Sequence, residues 1–181
     1  AIMQLIAETY EILKTGLKLD NAAIGKIFTQ WNEGRLKSFL LDITKDIFAF
    51  KAPGTNHLLL DDIKDEAKAK GTGKWTSQVA MDLQAPIPTI DTAVSMRDLS
   101  KYKELRVQAS EVYSKDAISL NVNKDEFLVA LEQAFYFNMI ICYAQGMHLR
   151  TKACEEYKDD LHLGDIGKIW GGGCIIRSEF L

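Results

Sequence analysis

The sequence predicts an all-α fold, a multi-helix bundle built around one long central helix. Apolar residues recur at helical spacing along most of the chain, and no segment alternates apolar and polar residues between turn signals as a strand does. The longest periodic run extends from Lys124 to about Tyr157. Together these patterns predict one domain, residues 1–181, of about eight to ten helices packed around the long one.

Composition excludes several classes of protein. With 181 residues, of which 47% are hydrophobic, a single domain can bury a substantial core. The net charge of -3 argues against nucleic-acid binding through a general basic field. The cysteines are odd in number and widely spaced, and the histidines are dispersed, so we expect no disulfide framework and no metal site. A reducing, cytoplasmic compartment is the natural location.

The first third of the chain predicts three amphipathic helices. The first begins at the very start of the chain and ends near Gly16, and Asp20 caps the second, which ends before Gly34. The third follows from Leu36 and closes before Pro53. Because the chain opens on an amphipathic pattern without a capping side chain and ends on apolar residues, we expect more protein on both sides.

The middle of the chain predicts a short helix from Asp61 to Ala69, then a glycine loop, and then a helix over residues 76–83 that prolines terminate. In the next helix Arg97 shares the apolar face. An arginine there either extends to water or binds an acidic group. A charged surface helix over residues 99–113 and a connector at 117–123 complete this part.

The long helix begins at a capping box formed by Asn123 and Glu126. Its middle is apolar on almost every side, but polar residues interrupt the run before ~20 apolar residues accumulate, so a central helix is favoured over a membrane span. After it, five glycines are expected to break up a short helical segment around Trp170, and a last helix is expected to start at Cys174.

Residues 70–76, Lys-Gly-Thr-Gly-Lys-Trp-Thr, form the loop around which the chain is organised. Glycines let backbone N–H groups point into a concavity, and lysine and threonine add positive charge and hydroxyl donors, a combination that suits an oxyanion such as phosphate. The spacing matches neither a Walker A loop nor a dinucleotide fingerprint. An alternative interpretation is that Gly71 merely ends a helix with basic residues near its negative end.

Four segments in this order resemble one family. They are Met-Gln-Leu-Ile-Ala-Glu at 3–8, the loop at 70–76, Tyr-Ala-Gln-Gly at 143–146 and Gly-Gly-Cys-Ile-Ile-Arg-Ser at 172–178. Together they resemble the C-terminal helical domain of 6-phosphogluconate dehydrogenase, the decarboxylating, NADP-dependent oxidoreductase of the pentose phosphate pathway and gluconate utilization. The resemblance covers essentially the whole chain.

The resemblance implies a substrate-binding site made of Lys70, Thr72 and Arg97, which would hold the phosphate of 6-phosphogluconate. Trp75 is expected to anchor the loop by packing, and Ile175 to lie near the substrate. Lys74 has no assigned role. Gly171 departs from the family's usual basic residue, but this departure leaves the phosphate residues unchanged.

The resemblance also implies what the chain does not contain. It implies that the catalytic acid and base and the Rossmann domain that binds NADP come before this chain, and that a substrate-binding tail follows it, so no catalytic residue is assigned here and the chain alone is expected to be inactive. The chain would anchor the substrate phosphate and form the core of a homodimer.

Two alternatives remain from the sequence. One is a noncatalytic helical interaction module, which requires only the helical pattern. The other is the helical domain of a related hydroxyacid dehydrogenase, which has no reason to keep the phosphate cluster. Binding of a phosphorylated sugar acid, but not of its unphosphorylated form, would separate both from the main interpretation.

Overall fold

The computed structural model describes residues 1–113 and 120–181, and these residues contain eight α-helices and no strand, apart from two isolated β-bridges. The prediction of an all-α fold is confirmed. The helices are α1 (Ile2–Glu11), α2 (Asn21–Asn32), α3 (Phe39–Ala49), α4 (Thr72–Asp82), α5 (Pro88–Ser100), α6 (Lys103–Val112), α7 (Lys124–Tyr157) and α8 (Leu163–Gly173).

The described residues form two compact units. The α1–α3 unit comprises residues 2–63, 120–138 and 164–181, and the α4–α6 unit comprises residues 1, 64–113 and 139–163. Helix α7 therefore contributes its first part to one unit and its second part to the other. Lys70, Thr72 and Arg97 all lie in the α4–α6 unit.

Caps and turns in the α1–α3 unit follow the sequence closely. Helix α1 passes into a π-helical turn, Ile12–Gly16, so the helical run ends at Gly16 as predicted. Asp20 caps α2 by accepting a hydrogen bond from the Ala23 N–H at 2.7 Å, which confirms the predicted cap. Ser38 caps α3 in the same way through the Leu41 N–H. A short 3₁₀ turn follows at Leu59–Asp62.

The core of the α1–α3 unit is a chain of aromatic rings. Phe28 is fully buried, and its ring centroid lies 5.7 Å from that of Phe48 and 5.8 Å from that of Trp31. Trp31 in turn contacts Phe135 of α7, at 5.7 Å between centroids. Helices α2 and α3 approach closely at Gly25, where a Cβ atom would lie only 2.9 Å from the Cβ of Phe48.

The α4–α6 unit packs around buried Ala80, Ile87 and Met139. Gln145 of α7 fixes the start of α5, because its Oε1 accepts hydrogen bonds from the N–H of Thr89 at 3.0 Å and from its hydroxyl at 2.7 Å. Pro88 is the first residue of α5, where the missing N–H costs no helical hydrogen bond. The charged surface helix predicted over residues 99–113 is not continuous, since α5 ends at Ser100 and α6 begins at Lys103.

Helix α7 has the predicted bounds. Asn123 Oδ1 accepts from the N–H groups of Asp125 and Glu126, so the predicted cap forms from the asparagine side. Among the described residues, α7 is the one helix long and apolar enough to cross a membrane by length and composition, and only 17% of its most apolar window is buried. A core helix passes the same test, so this is weak support for a membrane span.

Two local predictions in this part of the chain differ from the structure, and a third lies partly outside the described residues. Residues 63–71 form no helix, although a helix was expected from Asp61 to Ala69. Helix α8 runs without a break through its glycines, because each glycine adds a penalty of about 1 kcal/mol and does not forbid a helix. The predicted connector at 117–123 lies partly outside the described residues.

The C-terminal segment is also not helical. Residues 174–181 pair with the chain before α3, since Phe39 N–H donates to the Arg177 carbonyl at 3.1 Å and Glu179 N–H donates to the Lys37 carbonyl at 3.1 Å. The Arg177 guanidinium stacks on the Phe39 ring at 3.6 Å. These contacts replace the hydrogen bonds that a helix would have made.

Replacing Phe28 with alanine should lower the free energy of unfolding by about 3–5 kcal/mol, because it removes the ring that Trp31 and Phe48 both contact and leaves a cavity. Chemical denaturation followed by circular dichroism measures the change. The control Phe50→Ala, at a ring that is 55% exposed, should change it by less than about 0.5 kcal/mol. Equal losses for the two variants would contradict this description of the core.

Candidate anion-binding site

The first turn of α4 begins at Gly71. This residue has a φ of +96°, in the left-handed region, and immediately precedes the first helical residue, Thr72. Among the described residues, apart from its two chain neighbours, no atom lies within 4 Å of where a Cβ would stand, so the backbone conformation and not crowding favours glycine here. The alternative that Gly71 ends a preceding helix is wrong, since Gly71 starts one.

The start of α4 presents backbone donors that have no hydrogen-bond partner among the described residues. The first intrahelical bond runs from Trp75 N–H to the Gly71 carbonyl at 3.0 Å, and Gly71 has no side chain with which to cap the turn. The N–H groups of Thr72, Gly73 and Lys74 come before that bond, and a helix offers them no partner. Three such donors at the positive end of the helix dipole favour an anion.

Close packing places this helix end against α5. A Cβ at Gly73 would lie 3.0 Å from Val94 Cγ2, so the absence of a side chain lets the two helices approach. The hydroxyl of Ser77 donates to Asp91 Oδ1 at 2.7 Å, one turn further along α4. Val94 precedes Arg97 by three residues and therefore lies on the same side of α5.

Arg97 is half-buried and does not simply extend to water. Its Nη1 donates to the carbonyl of Lys68 at 3.1 Å, which joins α5 to the chain two residues before Lys70. Among the described residues, this is the one hydrogen bond that the Arg97 guanidinium makes. A guanidinium has five N–H donors, so further donors remain for a ligand.

Residues 64–70, which we call the approach segment, lead into Gly71 without helix or strand. The carboxylate of Asp65 pairs with the Lys103 ammonium and, at 2.8 Å, with the Arg106 guanidinium. Hydrogen bonds from Lys103 and then from Arg106 hold the pKa of this carboxyl well below its usual range. Further along, the Ala67 N–H donates to Ser100 Oγ at 2.9 Å.

The side chains of Lys70, Thr72 and Lys74 are exposed, so two basic groups and one hydroxyl beside the backbone donors in sequence are open to solvent. Trp75 is 66% exposed, and the prediction that it anchors the loop by packing is therefore wrong for this chain. Among the described residues no group of three or more His, Cys, Asp and Glu side chains could hold a metal ion.

Two other residues singled out from the sequence belong to the α1–α3 unit. Ile175 follows α8 and is about half exposed, and Gly171 lies in the last turn of α8 with open space around it. Nothing in the described part of their own unit assigns either residue a role.

Sequence reasoning missed the residues that hold the approach segment. Asp65, Ser100 and Arg106 are separated by up to 41 positions, and only the folded chain brings them together. Their residue types alone are typical of solvated helix surfaces, so the single sequence carried no signal for them.

Comparisons with family models, with curated proteins and with solved structures identify the same family. The family model described as the C-terminal domain of 6-phosphogluconate dehydrogenase matches residues 1–181. Relatives described as 6-phosphogluconate dehydrogenase, decarboxylating, include proteins of Lactococcus lactis, 48% identical, and of Escherichia coli, 49% identical, each over 99% of this chain. The chain spans 38% of the length of each of these relatives.

A solved structure agrees with the family model. The 6-phosphogluconate dehydrogenase of Plasmodium falciparum, described in its apo form and in complex with its cofactor NADP+ and its substrate 6-phosphogluconate, superposes with a TM-score of 0.94. Its sequence is 45% identical, and the match covers 99% of this chain and 39% of that one. The fold and the match over the whole length therefore agree, and the chain belongs to the family of the 6-phosphogluconate dehydrogenase C-terminal domain.

Proposed function

We propose that this chain is the substrate-anchoring and dimer-forming part of an NADP-dependent, decarboxylating 6-phosphogluconate dehydrogenase. The whole enzyme would convert 6-phosphogluconate to ribulose 5-phosphate and CO2 in the cytoplasm, as part of the pentose phosphate pathway. Membership of the family and the names of the relatives support the reaction. The observation that carries the role of this chain is the uncapped start of α4, flanked by Lys70 and Thr72 and linked to Arg97 through Lys68.

A phosphomonoester fits this arrangement. It carries close to two negative charges and several acceptor oxygens, which the N–H groups at the start of α4 and the Thr72 hydroxyl can satisfy. Lys70 supplies a compact charge, and Arg97 supplies a planar guanidinium that can bind two oxygens at once. The net charge of the whole chain is -3, so the attraction for the anion comes from this local cluster.

Holding the phosphate would contribute to catalysis at a distance. The reaction changes the substrate at C3, whereas the phosphate lies at the other end of the sugar acid. Binding energy from that remote group can fix the orientation of C3 and so lower the barrier. The groups that exchange protons with the substrate would come from the part of the enzyme outside this chain.

The binding site for NADP would also lie in the part of the enzyme outside this chain. NADP accepts the hydride in this class of reaction, and a dinucleotide usually binds at the edge of a parallel sheet beside a glycine-rich turn. The described residues form helices without a parallel sheet, so they do not fit a dinucleotide-binding fold. The role of this chain is to bind and orient the substrate.

A homodimer would cover the exposed apolar surface of α7. Phe137 is 60% exposed and Val129 is 57% exposed, although both lie in a long apolar helix. Large exposed apolar residues on a helix that is otherwise part of a core are typical of an interface. A second copy of the chain, packed through α7 and its neighbours, would bury them.

In the full-length enzyme, Arg97→Met should raise the KM for 6-phosphogluconate about tenfold to a hundredfold. The change keeps the apolar stem but removes a charge-assisted contact on the order of 1.5 to 3 kcal/mol. The KM for NADP and the residual activity toward unphosphorylated gluconate should change little. Lys70→Met should act in the same direction, and the double variant should be less than additive because both residues hold one phosphate.

Steady-state kinetics with both substrates test this prediction. Lys101→Met is a matched control, since it removes an exposed cation at the end of α5 whose partner is Asp98. Equal losses with phosphorylated and unphosphorylated substrate, at unchanged thermal stability, would show that Arg97 does not bind the phosphate.

The dimer leads to a separate prediction. Phe137→Glu should convert the full-length enzyme from dimer to monomer in sedimentation velocity experiments, because a charge would have to be buried without a partner. Val112→Glu, a change at an apolar residue of α6 that is 79% exposed, should leave the dimer intact. An active wild-type monomer, or a Phe137→Glu variant that sediments like the wild type, would contradict the proposed interface.

A further inference from the structure

The approach segment depends on side chains from α5 and α6 for its position. Residues 64–70 have no helix or strand to pair their backbone groups, yet they lead directly to Lys70 and to the start of α4. All of these residues are exposed or only partly buried, so water can reach their backbone groups, and only partners from other elements can fix their position. Those partners identify which residues fix this segment.

Arg106 binds the beginning of the segment at more than one point. Its Nη1 donates to Asp65 Oδ2 at 2.8 Å, and its Nη2 donates to the Asp65 carbonyl at 2.9 Å and to the Ser100 carbonyl at 3.0 Å. Its Nε is buried and has no partner among the described residues, so the two terminal nitrogens hold the side chain. The planar fork of arginine can join these three acceptors, which a lysine ammonium at the same place could not do with the same geometry.

Ser100 binds the next part of the segment and is linked to Arg97. Its hydroxyl oxygen accepts from the Ala67 N–H at 2.9 Å, and the hydroxyl donates to the Arg97 carbonyl at 2.7 Å. Arg97 itself donates to the Lys68 carbonyl at 3.1 Å. The contacts therefore progress in order along the segment, at Asp65, then Ala67, then Lys68, and end two residues before Lys70.

We infer that Arg106 and Ser100 are positioning residues for the substrate phosphate, which hold residues 64–70 against α5 and so set Lys70 relative to Arg97. The inference rests on the proposed function, because it assumes that Lys70 and Arg97 bind one phosphate. Neither Arg106 nor Ser100 touches the ligand. Each acts through the backbone that carries Lys70, and a displacement of that backbone of about 1 Å is enough to weaken a shared contact strongly.

The test uses the full-length enzyme and three variants. Ser100→Ala removes one hydroxyl and should raise the KM for 6-phosphogluconate about threefold to tenfold, as expected for the loss of one to two hydrogen bonds. Arg106→Met should raise it by at least as much, and Arg106→Lys should restore only part of the loss. The values of kcat and of the KM for NADP should stay within about twofold, as should the KM for unphosphorylated gluconate.

The control is Lys101→Met, which breaks an ion pair with Asp98 at 2.5 Å beside the same helix end; in the described part of the chain Lys101 forms no hydrogen bond or ion pair with residues 64–70. It should leave every parameter within about twofold. Thermal unfolding of each variant shows whether the protein is folded, and Ser100→Ala, the smallest change, decides the test if Arg106→Met folds poorly.

A combined variant separates positioning from general structural support. In an enzyme that already carries Lys70→Met and Arg97→Met, Ser100→Ala should change the KM for 6-phosphogluconate by less than about twofold, since the groups that it positions are gone. A further loss as large as in the wild type, or equal losses with both substrates, would overturn the inference.

The same variants distinguish a failure of the positioning role from a failure of the proposed phosphate site. If Arg97→Met shows a phosphate-specific loss but Ser100→Ala and Arg106→Met do not, the positioning role is wrong and the phosphate site stands. If Arg97→Met shows no phosphate-specific loss, the phosphate site itself is wrong.

Discussion

The arrangement of the site depends on one constraint, which is that a segment without secondary structure keeps a fixed position only where side chains from other elements bind it. Residues 64–70 meet this constraint through Arg97, Ser100 and Arg106, all from the two helices that follow α4. The segment then continues directly into the start of α4. The position of Lys70 is therefore determined by residues far from it in sequence, and the loop is not an independent structural unit.

This chain carries two kinds of surface, and each suits a different kind of partner. At the start of α4, backbone donors and basic side chains create a small positive region in a chain whose net charge is negative, so that an anion is attracted only locally. Along α7, apolar residues remain exposed and favour a large partner surface. We propose a phosphate for the first surface and a second copy of the chain for the second, and each is tested by a different measurement.

Periodicity and capping residues were enough to predict the helical class, the cap at Asp20 and both ends of α7, because these features depend on local geometry. The helix expected over 61–69 was wrong, although alanine and lysine there favour a helix. Its backbone groups bind Ser100, Arg97 and Arg106 instead, a tertiary effect that a single sequence does not reveal. The end of the chain was wrong for a similar reason, since residues 174–181 pair with the segment before α3. The site residues were named from a family resemblance, whereas the residues that support them required the structure.

The conformation of Gly71 has a consequence that concerns chirality. Its φ of +96° disfavours an L-residue, while the space where a side chain would stand is open. The position therefore selects for handedness and not for size. A D-alanine introduced there by chemical synthesis or ligation would favour the same backbone conformation, whereas L-alanine at the identical position would strain the turn from which α4 starts. The start of α4, and with it the orientation of its first N–H groups, thus depends on an achiral residue that can adopt a left-handed conformation.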